Sequence, residues 1–214
     1  MRRFAILILF FLPAFLFADG IVIDFDEKDV GKFPSGWKAK EDEGRSVYIV
    51  QKDTTGIFLH ADSKQNSHTI GYELSLDLAD YPYLEFCWRA KVLPPGGDER
   101  EKKTNDSVLG VYVIFEGGII PRSVKYIWST TLPVGTVTHS PYSKRTQMVV
   151  IESGREKIGE WIVERVDVLK DYKRLFGKKK VPPVKGVGIL TDSDNTSSCA
   201  VGDYLYIKFV GEQK

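Results

Sequence analysis

The sequence has few of the residues from which common catalytic centres are built. Only two of its 214 residues are cysteines, and the three histidines, His60, His68 and His139, lie far apart and show no metal-ligand spacing. No HExxH, GxSxG or glycine-rich phosphate loop is present. These absences disfavour acyl-transfer and phosphoryl-transfer enzymes, and we predict no catalytic residue from motifs.

The chain also has little net charge and, beyond its N terminus, no long hydrophobic run. Its 30 basic and 29 acidic residues leave a formal charge of +1, which gives no electrostatic reason to expect a nucleic-acid partner. The exception is the first segment, MRRFAILILFFLPAFLFADG, in which two arginines precede an apolar run that ends near Ala18. This layout is typical of a secretory signal peptide, and the run is shorter than the roughly 20 residues of a spanning helix.

We therefore predict a signal peptide at residues 1–18 and a single domain at 19–214, located in the periplasm or secreted, with no membrane span after signal cleavage. An uncleaved N-terminal anchor is the alternative. Export would permit a disulfide between Cys87 and Cys199. A buried free thiol at Cys87 and an unpaired Cys199 is the other interpretation, and the sequence does not choose between them.

Short runs rich in Val, Ile, Tyr, Phe and Trp recur along the chain and are separated by Gly, Pro, Asp and Asn. Eleven such runs between residues 21 and 210 predict an all-β fold, a two-sheet jelly-roll β-sandwich; one of them is RSVYIVQ at 45–51. Alternation in YLEFCWRAKV at 83–92 places Leu84, Phe86, Trp88 and Ala90 in the core. In DYLYIKFV at 203–210, the same rule favours Leu205, Ile207 and Phe209 as the buried set.

One segment has helical rather than strand periodicity. Val168, Leu169, Tyr172, Leu175 and Phe176 recur at helical spacing in DVLKDYKRLFGKKK, and Gly177 follows them as a C-cap. We predict one short helix near 167–176, packed on the sandwich.

An acidic stretch, TDSDNTSSCAVGD at 191–203, is the first candidate for a site. With Asp192 at position one of an EF-hand loop, Asp194 falls at position three and Asp203 at position twelve. The required glycine is replaced by Ser197 and the flanks are strands, so an EF-hand is disfavoured. A turn stabilised by Asp and Asn side chains and a Ca²⁺ site of Asp192, Asp194 and Asp203 both remain; no other cofactor is predicted.

Carboxylates elsewhere provide a second candidate. Glu160 and Glu164 would lie about 13 Å apart on one strand face, which is too far for a glycosidase pair. Each could act with a carboxylate from another strand, such as Asp106 or Glu152, or could simply pair with basic side chains. The first arrangement would indicate a carbohydrate-active hydrolase or lyase, and the second a structural role.

Aromatic side chains are the third candidate, because exposed rings stack on the apolar faces of sugars while polar side chains bind the hydroxyls. Trp88 and Trp161 lie within strand runs and are predicted to be structural. Trp37 and Trp128 lie near strand ends and are the better candidates for the surface, although core packing is the alternative for both. The predicted ligand-binding set is Trp37, Asp106, Trp128, Glu160, Asp192, Asp194 and Asn195.

Several segments together resemble a bacterial exported family, the domain of unknown function 3047 (DUF3047). They include FPSGW, DLADYPYLEFCWRAKVLPPGGDE, NDSVLGVYVIF, GEWIVERVDVLKDYKRLFG and GVGILTDSDNTSSCAVGDYLYIKF. This sequence differs from the family pattern at Gly110 and Asp167, where the pattern has arginine and asparagine. It implies a β-sandwich similar to galactose-binding domains and carbohydrate-binding modules, and it implies no established activity.

These features together predict an exported, non-catalytic β-sandwich that binds a glycan or another component of the cell envelope. A hydrolase or lyase using paired carboxylates and an envelope assembly module are the alternatives. The oligomeric state is not predicted.

Overall fold

The computed structural model describes residues 20–212, so the predicted signal peptide lies outside the described residues. The chain forms two β-sheets with strands numbered here in chain order. The first sheet has the order β11-β6-β13-β4-β3, with β1 also paired to β13. Its strands are β1 (Gly20–Ile23), β3 (Tyr48–Asp53), β4 (Gly56–Lys64), β6 (Tyr83–Val92), β11 (Ile162–Asp167) and β13 (Cys199–Val210).

The second sheet has seven strands in the order β2-β5-β12-β7-β8-β10-β9. They are β2 (Trp37–Ala39), β5 (Ser67–Leu76), β7 (Leu109–Phe115), β8 (Ser123–Ser129), β9 (Val137–Ser140), β10 (Ser143–Ser153) and β12 (Val184–Asp192). Strands β8 and β10 run parallel, whereas the other named pairs are antiparallel. The predicted all-β, two-sheet sandwich is confirmed.

The core lies between the two sheets and is built by residue alternation. Leu84, Phe86, Trp88 and Ala90 of β6 are all buried in the main apolar cluster, as predicted. Across the sandwich, the Trp88 ring lies 6.0 Å from that of Trp128 on β8. Side chains on alternate residues of one strand point to opposite faces, so residues between the core positions face outward.

Strand β13 departs from simple alternation because it contains a bulge between Tyr204 and Tyr206. Tyr204, Ile207 and Phe209 all belong to the core, whereas Leu205 is half-buried. The prediction was therefore right for Ile207 and Phe209 and wrong for Leu205, because an extra residue in one strand reverses the faces on either side of it.

The predicted helix is present as α2 (Val168–Phe176). The Asp167 side chain caps it by accepting a hydrogen bond of 2.8 Å from the Lys170 amide. Gly177 ends it in the left-handed conformation at φ 60°, the geometry that a C-cap glycine supplies without strain. The Tyr172 ring packs 4.4 Å from that of Phe115, which anchors the helix on the sandwich.

Two short helical segments were not predicted, a 3-10 helix at Glu27–Asp29 and α1 at Gly44–Val47. The second replaces the first half of the strand predicted at 45–51. Gly44 and Val47 are its buried residues, three positions apart, which is a helical rather than an extended spacing. Between residues 20 and 212, no helix is both long and apolar enough to cross a membrane.

Cys87 and Cys199 are both free, so the disulfide interpretation is wrong and the free-thiol one is confirmed. Cys87 is buried in β6, and this burial raises the pKa of its thiol to about 11. Cys199 is exposed at the start of β13.

Candidate functional site

A cleft of about 450 Å³ lies on the outer face of the second sheet. Val111 and Val113 of β7 and Ile189 of β12 point into the core. By alternation, Tyr112 and Leu190 face the other way, and both line the cleft. The sheet therefore supplies a partly apolar floor.

The cleft walls are mostly short polar side chains carried by neighbouring strands and loops. One wall comes from β5 and the turn after β12, and the opposite wall comes from β9, β10 and the hairpin between them. The short polar side chains that line it are those of Ser67, Thr69, Asn105, Ser140, Ser143, Thr146, Asp192, Asp194 and Asn195. The longer side chains of Lys40, Glu41 and His68 also line it.

Tyr142 lies at the tip of the β9–β10 hairpin and is 60% exposed. Its phenolic oxygen is 3.1 Å from the Lys102 carbonyl oxygen and 3.2 Å from Asn195 Oδ1. The tyrosine thus reaches from one wall of the cleft to the other. The Tyr142 side chain is thus exposed at the cleft with its polar end held in place, and Lys102 Nζ lies 5.7 Å from the ring centroid.

The long polar segment at 93–106 packs onto the second sheet rather than extending into solvent. The Ser129 hydroxyl donates to Glu99 Oε2 at 2.7 Å, and the Asn105 amide donates to the Glu99 carbonyl at 2.6 Å. Thr131 Oγ1 donates to the Gly97 carbonyl at 2.6 Å. These bonds hold Asn105 in the lining of the cleft, and Asp106 follows it in the chain without lining the cleft itself. Burial raises the pKa of Glu99, although the Ser129 hydrogen bond partly offsets the shift.

Asp106 ties this segment to the acidic stretch at 191–203. Its Oδ2 accepts hydrogen bonds from the Thr196 amide at 2.7 Å and the Thr196 hydroxyl at 2.5 Å, and its Oδ1 accepts one from the Asn195 amide at 3.2 Å. A turn is therefore present, as predicted. However, the carboxylate that accepts from its backbone amides is Asp106, far away in the sequence, and not an Asp or Asn of the stretch itself.

Asp106, Asp192 and Asp194 form an acidic cluster beside the cleft, with one carboxylate oxygen of each within 4.8 Å of the others. Burial raises the pKa of Asp192 to about 8, and the charges of Asp106 and Asp194 add to the shift while Lys125 opposes it. These are oxygen ligands of the kind that hard cations such as Ca²⁺ prefer. The structure thus brings together Asp192 and Asp194 of the predicted set.

Lys125 is an unusually buried cation beneath the cleft, at 2% exposure. Its Nζ donates to Ser107 Oγ at 3.0 Å and lies 5.3 Å from the Tyr112 ring centroid. A Cβ built on Gly110 would lie 2.5 Å from Lys125 Cε. The glycine therefore leaves the space that the lysine side chain occupies.

Three of the predicted ligand-binding residues lie elsewhere. Trp37 and Trp128 are 5% and 0% exposed and pack against other rings, so their prediction as surface residues is wrong. Strand ends suggested exposure, but the opposing sheet and neighbouring loops cover both. Glu160 is exposed before β11 and does not line the cleft.

Asp203 belongs to a separate ionic cluster on the first sheet, not to the predicted metal set. It is hydrogen-bonded or ion-paired to His60 at 2.7 Å, Arg89 at 2.7 Å and Lys91 at 2.8 Å. Burial alone would raise its pKa, but these three partners outweigh the effect and hold the pKa below the usual value. Asp106 stands in the cluster where the sequence predicted Asp203.

The glutamates considered as hydrolase residues, Glu152 and Glu164, also lie away from the cleft. Glu152 is buried and pairs with Lys157 at 2.5 Å. Burial and the charge of Glu152 raise the pKa of Glu164 to about 7. Neither glutamate lines the cleft.

Sequence reasoning missed Tyr112, Tyr142 and Lys125. Tyr142 had a local signal, because an aromatic residue after Pro141 in a turn between polar residues has no core to join. Tyr112 and Lys125 had none, since each sits in a strand run whose outer face looked like an ordinary solvent face.

Comparison with known proteins supplies a family but no function. No curated protein matches the chain. Among solved structures, similarity extends to TmCBM61 in complex with β-1,4-galactotriose (11% identity, TM-score 0.39, 88% of this chain and 99% of that one). It also extends to the xylan-binding module CBM86 from Roseburia intestinalis (8%, 0.41, 91% and 96%) and to the GH12 endoglucanase 3 of Trichoderma harzianum (11%, 0.45, 92% and 100%). The model of DUF3047, a protein of unknown function, matches residues 35–208, and the chain therefore belongs to this family.

Proposed function

We propose that the protein binds a glycan of the cell envelope in the cleft of the second sheet, without catalysis. The observation that carries the proposal is the 60% exposed Tyr142 ring held over a cleft of about 450 Å³ with short polar walls. This volume is in the range of about 300–1,000 Å³ for small-molecule sites. The signal-peptide pattern at residues 1–18 supports a location in the periplasm or outside the cell.

The chemistry of the cleft matches that of a sugar. A pyranose has apolar C–H faces and a rim of hydroxyls, so it needs an aromatic platform together with donors and acceptors at the sides. Tyr142 supplies a ring, and Asn105, Asn195 and the hydroxyl side chains supply hydrogen-bonding groups. Side chains such as Ser and Thr lose little conformational entropy when they bind.

Tyr142→Ala should lower the affinity for the glycan at least tenfold, about 1.4 kcal/mol. Tyr142→Phe keeps the ring and should retain most of the affinity, because it loses only the hydroxyl contacts to Lys102 and Asn195. A glycan array would identify the ligand and calorimetry would compare the variants. Unchanged melting temperatures would separate binding from folding. Failure of the folded protein to bind any saccharide, or equal binding by Tyr142→Ala, would remove the proposal.

A carbohydrate-active hydrolase is the second candidate, and one observation favours it. Glu164 has a pKa raised to about 7 close to the charge of Glu152, which is the pattern expected of a general acid next to a second carboxylate. The pairing of Glu152 with Lys157 and the position of both residues away from the cleft weigh against it.

The Glu164→Gln variant tests whether this group titrates near neutrality. When a carboxyl has a higher pKa in the folded than in the unfolded state, the folded protein loses stability as pH rises from about 4.5 to 7. Glu164→Gln should therefore match the wild type at about pH 5 and exceed its unfolding free energy by about 1 kcal/mol at about pH 8, after allowance for solvent screening. Urea unfolding at both pH values measures this difference. Parallel pH profiles would contradict the shift, and release of reducing sugar that Glu164→Gln abolishes would favour the hydrolase.

A further inference from the structure

The acidic cluster beside the cleft gathers carboxylates from two distant parts of the chain. Asp106 ends the segment that precedes β7, Asp192 is the last residue of β12, and Asp194 lies in the turn before β13. One oxygen from each lies within 4.8 Å of the other two. Oxygens that bind one Ca²⁺ ion at about 2.3–2.6 Å can be up to about 5 Å apart. The spacing therefore allows one ion to contact all three side chains.

One carboxylate of the cluster, Asp192, has a buried oxygen without a hydrogen-bond partner. The residue is only 4% exposed, and its Oδ1 atom is buried without a hydrogen-bond partner. Buried carboxylate oxygens are normally hydrogen-bonded, ion-paired or bound to a metal. This oxygen belongs to one of the three converging carboxylates, and a cation that Asp192 binds through Oδ1 would satisfy it.

The acidic cluster has fewer positive side chains beside it than another buried aspartate, Asp203. That buried carboxylate is compensated by Arg89 and Lys91 within 2.8 Å. Beside the acidic cluster the charge of Lys125 acts on Asp192, but the lysine donates to Ser107, and no ion pair within residues 20–212 includes it. With all three carboxylates ionised, as metal ligands must be, one lysine would leave two uncompensated negative charges. A divalent cation carries the charge that would balance them.

Asp106 is already oriented as a metal ligand would be. Its two oxygens accept three hydrogen bonds, from Asn195 and Thr196, out of about four lone-pair positions that a carboxylate offers. Hydrogen bonds of this kind hold ligating carboxylates in place in metal sites. The cluster can therefore keep its geometry before an ion arrives.

We propose that Asp106, Asp192 and Asp194 bind one Ca²⁺ ion at the wall of the cleft. All three ligands are carboxylates, which suits a hard cation, and Ca²⁺ accepts six to eight oxygens in irregular geometry, whereas Mg²⁺ requires a near-ideal octahedron. Water and backbone carbonyls complete its shell. The proposal does not depend on the glycan, since the ion would join the 93–106 segment to the 193–198 turn whether or not a sugar is bound.

The test is calorimetric titration of chelator-treated protein with CaCl₂, with melting curves in Ca²⁺ and in EDTA. We expect one ion per chain and a melting temperature higher by about 5 °C or more at a Ca²⁺ concentration about 100 times Kd. Asp192→Asn and Asp194→Asn should each weaken binding at least tenfold. Asp80→Asn, a change at an exposed aspartate outside the cluster, should bind like the wild type.

Melting in EDTA separates loss of the ion from loss of the fold. Asp192→Asn keeps the side-chain shape and cannot carry a buried negative charge, so in EDTA it should melt no lower than the wild type. In Ca²⁺ only the wild type should gain stability. The proposal would be overturned if the wild type showed no heat of binding and no change in melting temperature at millimolar Ca²⁺. It would also be overturned if Asp80→Asn weakened Ca²⁺ binding as much as the cluster variants do, or if Mg²⁺ raised the melting temperature as much as Ca²⁺. Glycan binding measured in EDTA would test the proposed function separately.

Discussion

Replacing Trp128 by alanine is expected to lower the free energy of unfolding by about 4 kcal/mol. The Trp128 side chain is fully buried between the sheets, with its ring 6.0 Å from that of Trp88. Its Nε1 atom donates to the Gly154 carbonyl at 3.1 Å, and alanine would leave this acceptor unpaired. The cost combines a large cavity that close-packed neighbours cannot fill with one lost hydrogen bond.

Chemical denaturation followed by fluorescence and circular dichroism would measure the loss. Trp128→Phe is the matched control: it keeps an aromatic ring in the core, and it should cost about half as much. A Trp128→Ala protein that unfolds within about 1 kcal/mol of the wild type would contradict the buried position. Loss of glycan affinity at unchanged stability would instead return Trp128 to the surface role that its place in the sequence suggested.

Asp203→Asn is expected to destabilise the fold by about 3 kcal/mol at neutral pH. The substitution keeps the side-chain shape but removes the negative charge that Arg89 and Lys91 contact at 2.7 and 2.8 Å. The Arg89 guanidinium also lies 4.2 Å from the centroid of the Trp161 ring and is only 15% exposed. It cannot reach water without giving up this packing, so the cation would remain partly buried, with only the longer contact to Asp53 at 3.5 Å.

The pH dependence provides the internal check on Asp203. Its folded-state pKa lies below the usual value, so the stability it contributes is complete above about pH 4 and is lost as pH falls through the folded-state pKa. The difference between wild type and Asp203→Asn should therefore shrink in acid. Glu73→Ala is the control, since its pair with Lys38 is exposed and should be worth about 0–1 kcal/mol. A pH-independent difference, or an equal loss in Glu73→Ala, would contradict the role of the buried charge.

Local patterns in the sequence predicted the elements whose physics is itself local. The helix α2 was predicted within one residue because its periodicity, the Asp167 cap and the Gly177 stop all lie within a dozen residues. The inward face of β6 was predicted because alternation depends only on backbone geometry. Strand β13 shows the limit, since the bulge between Tyr204 and Tyr206 is set by its pairing with β6 and leaves no mark in the sequence.

For the candidate site too, local sequence patterns predicted some residues, whereas their arrangement depends on the tertiary structure. Asp192, Asp194 and Asn195 were predicted because short oxygen-bearing side chains crowd one turn. Asp106 was predicted for a different reason, as a carboxylate that could act with Glu160 or Glu164. Their convergence, and the replacement of Asp203 by Asp106 in the acidic cluster, depend on which segments meet across the second sheet.

By itself, the sequence determined the β-sandwich, the helix, the family resemblance and the acidic turn, because hydrophobic periodicity and turn chemistry act over a few residues. Only the tertiary structure decided that Trp37 and Trp128 are core residues, that Lys125 lies buried beneath a cleft, and that Tyr142 is held over it. Burial and charge compensation are sums over neighbours that the chain brings together from distant positions. A strand pattern shows which side chains share a face, whereas the packing of loops and of the opposing sheet decides whether that face meets water, protein or a ligand.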